Sequence, residues 1–218
     1  MTNLTLTIGD KNLSSWSLRP WMLMKQAEIP FTENNIKLDQ PETRKILSEI
    51  SPSGLVPFLT HSTKSGDIQI WDSLAIAEYL NELFPEKQLW PADASARAHA
   101  RAVSAEMHSS FGAMRTVWPM QFLRDGMQHL TTGGVQRDID RIEQIWTECR
   151  TRFGQDGNFL FGNFTIADAM YAPVVSRFIT YGPLGLNADG AAYLEAIRTL
   201  PAMKEWGEGA AAETAQSA

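Results

Sequence analysis

Ser14 and Ser15 stand where a short loop gives way to an apolar-periodic segment, with Arg19 five residues beyond Ser14. A hydroxyl at a helix start can cap the free amides there, or it can donate a hydrogen bond to an anion and favour its ionised form. Asp72-Ser73 occupies a second helix start. The first amides of a helix lack intrahelical partners and carry partial positive charge, so this pair can cap the helix or help to hold a carboxylate. Further along, Met107, Phe111 and Met114 recur at helical spacing, with His108 and Arg115 beside them. A stripe of this kind packs a core in most proteins; otherwise it walls an apolar cleft that has a charged or hydrogen-bonding group at hand.

The other reactive residue types mostly exclude chemistry. Cys149 is the single cysteine, which rules out an intrachain disulfide or a dithiol redox pair. Its place beside Ile145 and Trp146 in an apolar-periodic helix makes it a buried, inert thiol. His61, His99, His108 and His129 show no metal-ligand spacing, so no metal site is expected. The glycines form neither a phosphate loop nor a dinucleotide fingerprint. A net charge of −6, from 19 Lys+Arg against 25 Asp+Glu with no basic run, weighs against nucleic-acid binding. No apolar stretch approaches the roughly 18 residues that span a bilayer, and the first residues lack the regions of a signal peptide. The expectation is a cytoplasmic protein with no membrane contact.

Elements must hold these residues in place. A chain of 218 residues and 24.3 kDa, 44% hydrophobic and 20% charged, is long enough for one large or two modest globular domains. Leu4-Thr5-Leu6-Thr7-Ile8 alternates with period two, which predicts a half-buried strand ending at Gly9-Asp10. Pro20 places the start of regular helix near Ser17, and the helix runs to about residue 28. A strand over 31–38, a charged helix over 41–50, and a hairpin of 55–60 and 68–71 follow. The helix opened by Asp72-Ser73 continues to Phe84-Pro85. After a proline-bracketed connector at 85–93 the pattern is helical throughout, over about 94–117, 135–153, 165–180, 191–198 and 201–208, with a frayed tail from 209. The chain therefore divides into 1–84, a linker at 85–93, and an all-α region at 94–218, in the order βαβαββα and then helices.

Four local motifs, in this order along the chain, resemble the soluble glutathione transferase family, specifically a serine-type, zeta- or tau-like bacterial member. They are Ser14-Ser15-Trp16-Ser17-Leu18-Arg19, Ser53-Gly54-Leu55-Val56-Pro57, Trp71-Asp72-Ser73-Leu74-Ala75-Ile76-Ala77-Glu78-Tyr79-Leu80, and Phe164-Thr165-Ile166-Ala167-Asp168. The resemblance implies a thioredoxin-like first domain and an all-α second domain, with a homodimer as the working unit. It implies that Ser14, or failing that Ser15, donates to the sulfur of glutathione, the co-substrate. Val56, before a cis Pro57, pairs its backbone with the cysteinyl unit; Asp72 takes the γ-glutamyl ammonium and Ser73 the carboxylate. Met107, His108, Phe111, Met114 and Arg115 fall where the family places the second substrate, a small electrophile. Conjugation in detoxification is the leading expectation. Glutathione-dependent isomerisation of a dicarboxylate, with Arg19 or Arg115 in the cleft, is the alternative, and a non-catalytic stress or interaction protein is a third. Two departures stand out: Leu55 replaces a polar residue, and Trp16 occupies the place of a zeta-type cysteine. Thr165-x-x-Asp168 reads as a capping box of a buried helix.

Overall fold

The computed structural model describes residues 3–127, 131–182 and 185–216; His129 and the final two residues of the tail lie outside the described residues. The first half runs β1 (Leu4–Gly9), α1 (Ser15–Gln26), β2 (Thr32–Ile36), α2 (Thr43–Ile50), β3 (Phe58–Thr63), β4 (Gly66–Ile70) and α3 (Ser73–Leu83). The strands lie in the order β2-β1-β3-β4, with β1 parallel to β2 and antiparallel to β3, and with β3 and β4 as a hairpin. This is the expected thioredoxin-like half. Leu4, Leu6 and Ile8 are buried, and so is Thr7, because β1 is a central strand; the half-buried strand expected from the alternation is covered on both faces. Lys64-Ser65 makes the hairpin turn, with the Thr63 hydroxyl donating to the Gly66 carbonyl at 2.7 Å.

Helix α1 begins at Ser15, two residues before the position Pro20 suggested. Proline at 20 removes only the bond to the Trp16 carbonyl. That loss is offset by burial on every side of the helix, since Leu18, Trp21, Met22, Leu23 and Met24 are all in the core. The helix packs against α3 of its own half and against two helices of the second half, Ile166–Tyr181 and Pro201–Ala215.

The helical half contains α4 (Ala94–Ser109), α5 (Gly112–Val117), α6 (Gly133–Phe153), α7 (Ile166–Tyr181), α8 (Ala188–Arg198) and α9 (Pro201–Ala215). The single helix expected over 94–117 is two. Phe111 adopts left-handed backbone, φ 63°, and the Arg115 guanidinium donates to the carbonyls of Met107 and His108, satisfying acceptors that a continuing helix would have used. The tail expected to fray is helical through Ala215. Trp206 is fully buried and its indole N–H donates to the Lys11 carbonyl at 2.7 Å, while Glu213 accepts from the Lys11 amide at 2.9 Å. Gly209 leaves room for the Lys11 side chain, because a Cβ there would stand 2.6 Å from Lys11 Cδ.

The connector after α3 is packed rather than loose. Leu89 and Trp90 are buried, the Leu89 carbonyl accepts from Ile166 N at 3.0 Å, and the Trp90 indole donates to Glu78 at 3.1 Å. Helix α7 is buried along nearly its whole length, and its start carries the capping box: Asp168 accepts from the Thr165 amide at 2.8 Å. Its other oxygen accepts from the Leu160 amide at 3.0 Å, so one carboxylate pins both the cap and the preceding loop. Cys149 is buried, and that burial pushes its thiol up to about 12.

Candidate functional site

Three loops converge on a cleft of about 490 Å³ lined by Trp16, Ser53, Leu55, Val56, Pro57, Trp71, Asp72 and Ser73. Trp16 comes from the first turn of α1, residues 53–57 from the loop between α2 and β3, and residues 71–73 from the turn between β4 and α3. The middle loop is fixed by Ser51, whose hydroxyl donates to the Leu55 carbonyl at 2.7 Å and accepts from its amide at 3.1 Å. The Val56-Pro57 peptide is cis, as is Trp71-Asp72. Leu55 and Trp71 give the cleft an apolar rim, 66% and 47% exposed.

At the start of α3, Asp72 acts as the cap, its Oδ1 accepting from the amides of Leu74 at 3.1 Å and Ala75 at 3.5 Å. Ser73 is buried beside it, and its hydroxyl has no hydrogen-bond partner among the described residues. A partnerless hydroxyl at the positive end of a helix, on the wall of a cleft, is equipped to receive a carboxylate. The second oxygen of Asp72 is held by His108 Nε2, from the last turn of α4.

The two serines differ in their surroundings. Ser14 is 7% exposed, and its hydroxyl donates to Ser17 Oγ at 2.7 Å, which in turn accepts from the Gly9 amide at 3.1 Å. Ser15 is half-buried, and its oxygen accepts from Arg177 Nη2 at 3.3 Å. Neither serine is among the residues lining the cleft, whereas Trp16, next in the chain, is.

Behind Trp16 lies a group of arginines. The Arg19 guanidinium stacks 4.0 Å from the Trp16 ring centroid and that of Arg115 4.9 Å from it, while the His108 ring meets it edge-on at 5.3 Å. Burial holds Arg19 well below its usual pKa, repulsion from Arg115 and Arg177 adds to this, and Asp72 opposes it. Burial likewise lowers Arg177, to about 10, with Arg115 contributing. The hydrogen bonds of Arg115 and Arg177 go to backbone carbonyls and the Ser15 hydroxyl, and Arg19 Nε and Nη1 have no partner among the described residues.

The site residues expected from the sequence therefore separate. Val56, Pro57, Asp72 and Ser73 meet in one cleft, and His108 reaches it through Asp72. Met107, Phe111 and Met114 do not: all three are buried in the core, the reading open to any apolar stripe on a helix. Arg115 caps α4 while stacking on Trp16. Trp16 was not foreseen as part of the site, although Arg19 one turn further along α1 is a spacing at which a guanidinium can cover an indole. Among the described residues no group of His, Cys, Asp and Glu is placed to hold a metal ion, and no helix is long and apolar enough to cross a membrane.

Comparison with known proteins gives the family. The glutathione S-transferase N-terminal domain model matches residues 13–83 and the corresponding C-terminal domain model residues 132–206. The chain belongs to the glutathione S-transferase family. Among curated relatives of this transferase-family chain, a probable maleylacetoacetate isomerase of Caenorhabditis elegans is 33% identical over 109 residues, 50% of this chain and 48% of that protein. A stringent starvation protein A homolog of Coxiella burnetii is 23% identical over 174 residues, covering 80% of this chain and 75% of its own. The match thus spans about half the length of the nematode relative. Among solved structures, a maleyl pyruvate isomerase described as a bacterial zeta-class transferase superposes with TM-score 0.71 at 21% identity, over 93% of this chain and 95% of that one. A Burkholderia glutathione transferase homolog with bound glutathione superposes with TM-score 0.70, 21% identity, and 95% and 97% coverage. At these identities the superpositions speak to the fold.

Proposed function

We propose that this chain is a glutathione transferase that binds the tripeptide in the 490 Å³ cleft and uses its thiolate against a small electrophile. The observation that carries the reading is the buried, partnerless Ser73 hydroxyl at the start of α3, in the same cleft as Val56-Pro57 and Asp72. Ser73 and the helix start receive the γ-glutamyl carboxylate, Asp72 the adjoining ammonium, and the Val56 backbone the cysteinyl unit as an added strand. This orients the cysteinyl sulfur toward the start of α1, where a serine hydroxyl donates to it. A free thiol with pKa near 8.5 is only roughly 3% ionised at pH 7, and each unit of lowering is worth about 1.4 kcal/mol.

Between the two serines, the hydrogen bonding favours Ser15. The Ser14 proton is committed to Ser17, whereas Ser15 accepts from Arg177 and keeps its own proton free for the sulfur. The chain is further taken to divide at residues 1–84, 85–93 and 94–218 and to work as a homodimer in the cytoplasm, as its family resemblance implies.

The arginine group favours a second reading in which the electrophile is an anion and glutathione is recycled, as in cis–trans isomerisation of a dicarboxylate. Three buried or half-buried guanidiniums, none hydrogen-bonded to a carboxylate, gather around and behind Trp16, with Asp72 and Asp138 acting on Arg19 and Arg115 without a hydrogen bond to either. The nematode relative, a probable maleylacetoacetate isomerase, is named for an isomerisation. The two readings differ in bookkeeping: conjugation consumes one glutathione per turnover, isomerisation none. Isothermal titration of wild type and Ser73→Ala with glutathione tests the shared part. Saturable binding weakened about tenfold or more by the substitution is expected, the loss of one hydrogen bond to a charged group. Equal binding by both proteins would remove Ser73 from the site.

A further inference from the structure

On the glutathione reading, Asp72 is the group that takes the ligand's ammonium, yet it is not free to do so. Its Oδ1 is committed to the amides of Leu74 and Ala75, and its Oδ2 to His108 Nε2. We propose that His108 is a positioning residue that competes with the α-ammonium of the γ-glutamyl group for Asp72, and so sets how strongly the cleft prefers an amino-bearing ligand.

His108 is held where it is by contacts independent of Asp72. Its ring meets Trp16 edge-on at 5.3 Å, and its carbonyl accepts from Arg115 Nη2 at 3.0 Å. It stands in the last turn of α4, at the negative end of the helix dipole, which favours a hydrogen-bond donor there. Moving the imidazole aside would therefore give up its contact with Trp16. Arg19 also interacts electrostatically with Asp72, so the carboxylate has favourable partners besides His108. The side chains of His108 and Asp72 are 30% and 49% exposed, which leaves the pair open to a ligand entering the cleft. An ammonium reaching Asp72 must displace the imidazole N–H or share the carboxylate with it. In both cases the gain is smaller than an unengaged aspartate would give. A ligand lacking the amino group has no such competition to meet.

The test is calorimetric titration with glutathione and with its deaminated analogue, glutaryl-cysteinyl-glycine, on wild type, His108→Ala and His108→Gln. His108→Ala is expected to bind glutathione about two- to fivefold tighter, the range for a partly exposed contact to a carboxylate, and to leave the analogue unchanged. The ratio of the analogue's dissociation constant to that of glutathione then rises by the same factor. His108→Gln, which retains volume and a donor, should raise the ratio by a smaller factor, and it keeps the question decidable if the alanine variant fails to fold. A ratio that falls would mean His108 supports Asp72 rather than competing with it. Parallel changes for both ligands would mark a structural role. Either result overturns the proposal. Wild-type protein that binds neither ligand overturns the glutathione reading itself, an outcome distinct from an unchanged ratio.

Discussion

Ser14 and Ser15 are adjacent in the chain and opposite in hydrogen bonding, which is why spacing could not choose between them. A motif fixes that a hydroxyl stands at the start of α1; it does not fix which hydroxyl still has a proton to give. Ser14 gives its proton to Ser17, and Ser15 sits under Arg177, a residue 162 positions away in sequence. The same limit explains Trp16. Its indole is flanked by Arg19, Arg115 and His108, from three helices, so only the Arg19 contact had a local signature. Asp72 and Ser73 were legible because a helix start is a local feature with a local chemistry. Met107 and Met114 were not separable from core by pattern alone, and the fold puts them there.

Among the elements, α7 carries the clearest physical prediction. Burial raises the Asp168 carboxyl to about 6, against the lowering effect of the hydrogen bonds from Leu160 and Thr165. The folded chain therefore holds this proton more tightly than the unfolded chain does. The group's contribution to stability is greatest below about pH 4 and declines as pH rises through about 6. Replacing Asp168 with Asn removes that titration and leaves the Thr165 amide facing an amide, at a cost of about 1–3 kcal/mol. Denaturation curves of both proteins from pH 4 to 7 should show the wild-type advantage shrinking across that window; a constant difference would contradict the assignment. Elements with a strong periodic pattern, such as α3, α6 and α7, were legible to within a few residues. The break at Phe111 was not, because it depends on a left-handed residue and on Arg115 reaching back to cap α4.

Across the whole molecule, α1 is the element on which both halves depend. It contacts α3, α7 and α9, and α9 is tied to the loop before it through Trp206 and Glu213. The last helix thus braces the segment that presents Ser14, Ser15 and Trp16. A small, polar tail gave no local sign of this, since the signal lies in a tryptophan whose partner is the Lys11 carbonyl. Trp206→Ala should cost about 3–5 kcal/mol by chemical denaturation, as for other buried aromatic truncations. Trp206→Phe, which retains most of the packing and leaves the Lys11 carbonyl without its donor, should cost about 1–3 kcal/mol. Equal and negligible losses would mean that α9 is dispensable to the fold.

The central claim is that a serine at the start of α1 ionises the thiol of bound glutathione, and the ultraviolet thiolate band reads that ionisation directly. Glutathione titrated into wild type at neutral pH should give a saturable thiolate signal. The hydrogen bonding of the two serines predicts that Ser15→Ala loses the signal while still binding glutathione, and that Ser14→Ala keeps it. Loss in Ser14→Ala alone would return the role to Ser14. Saturable binding with no thiolate signal in wild type would contradict the account and leave a carrier in place of an enzyme.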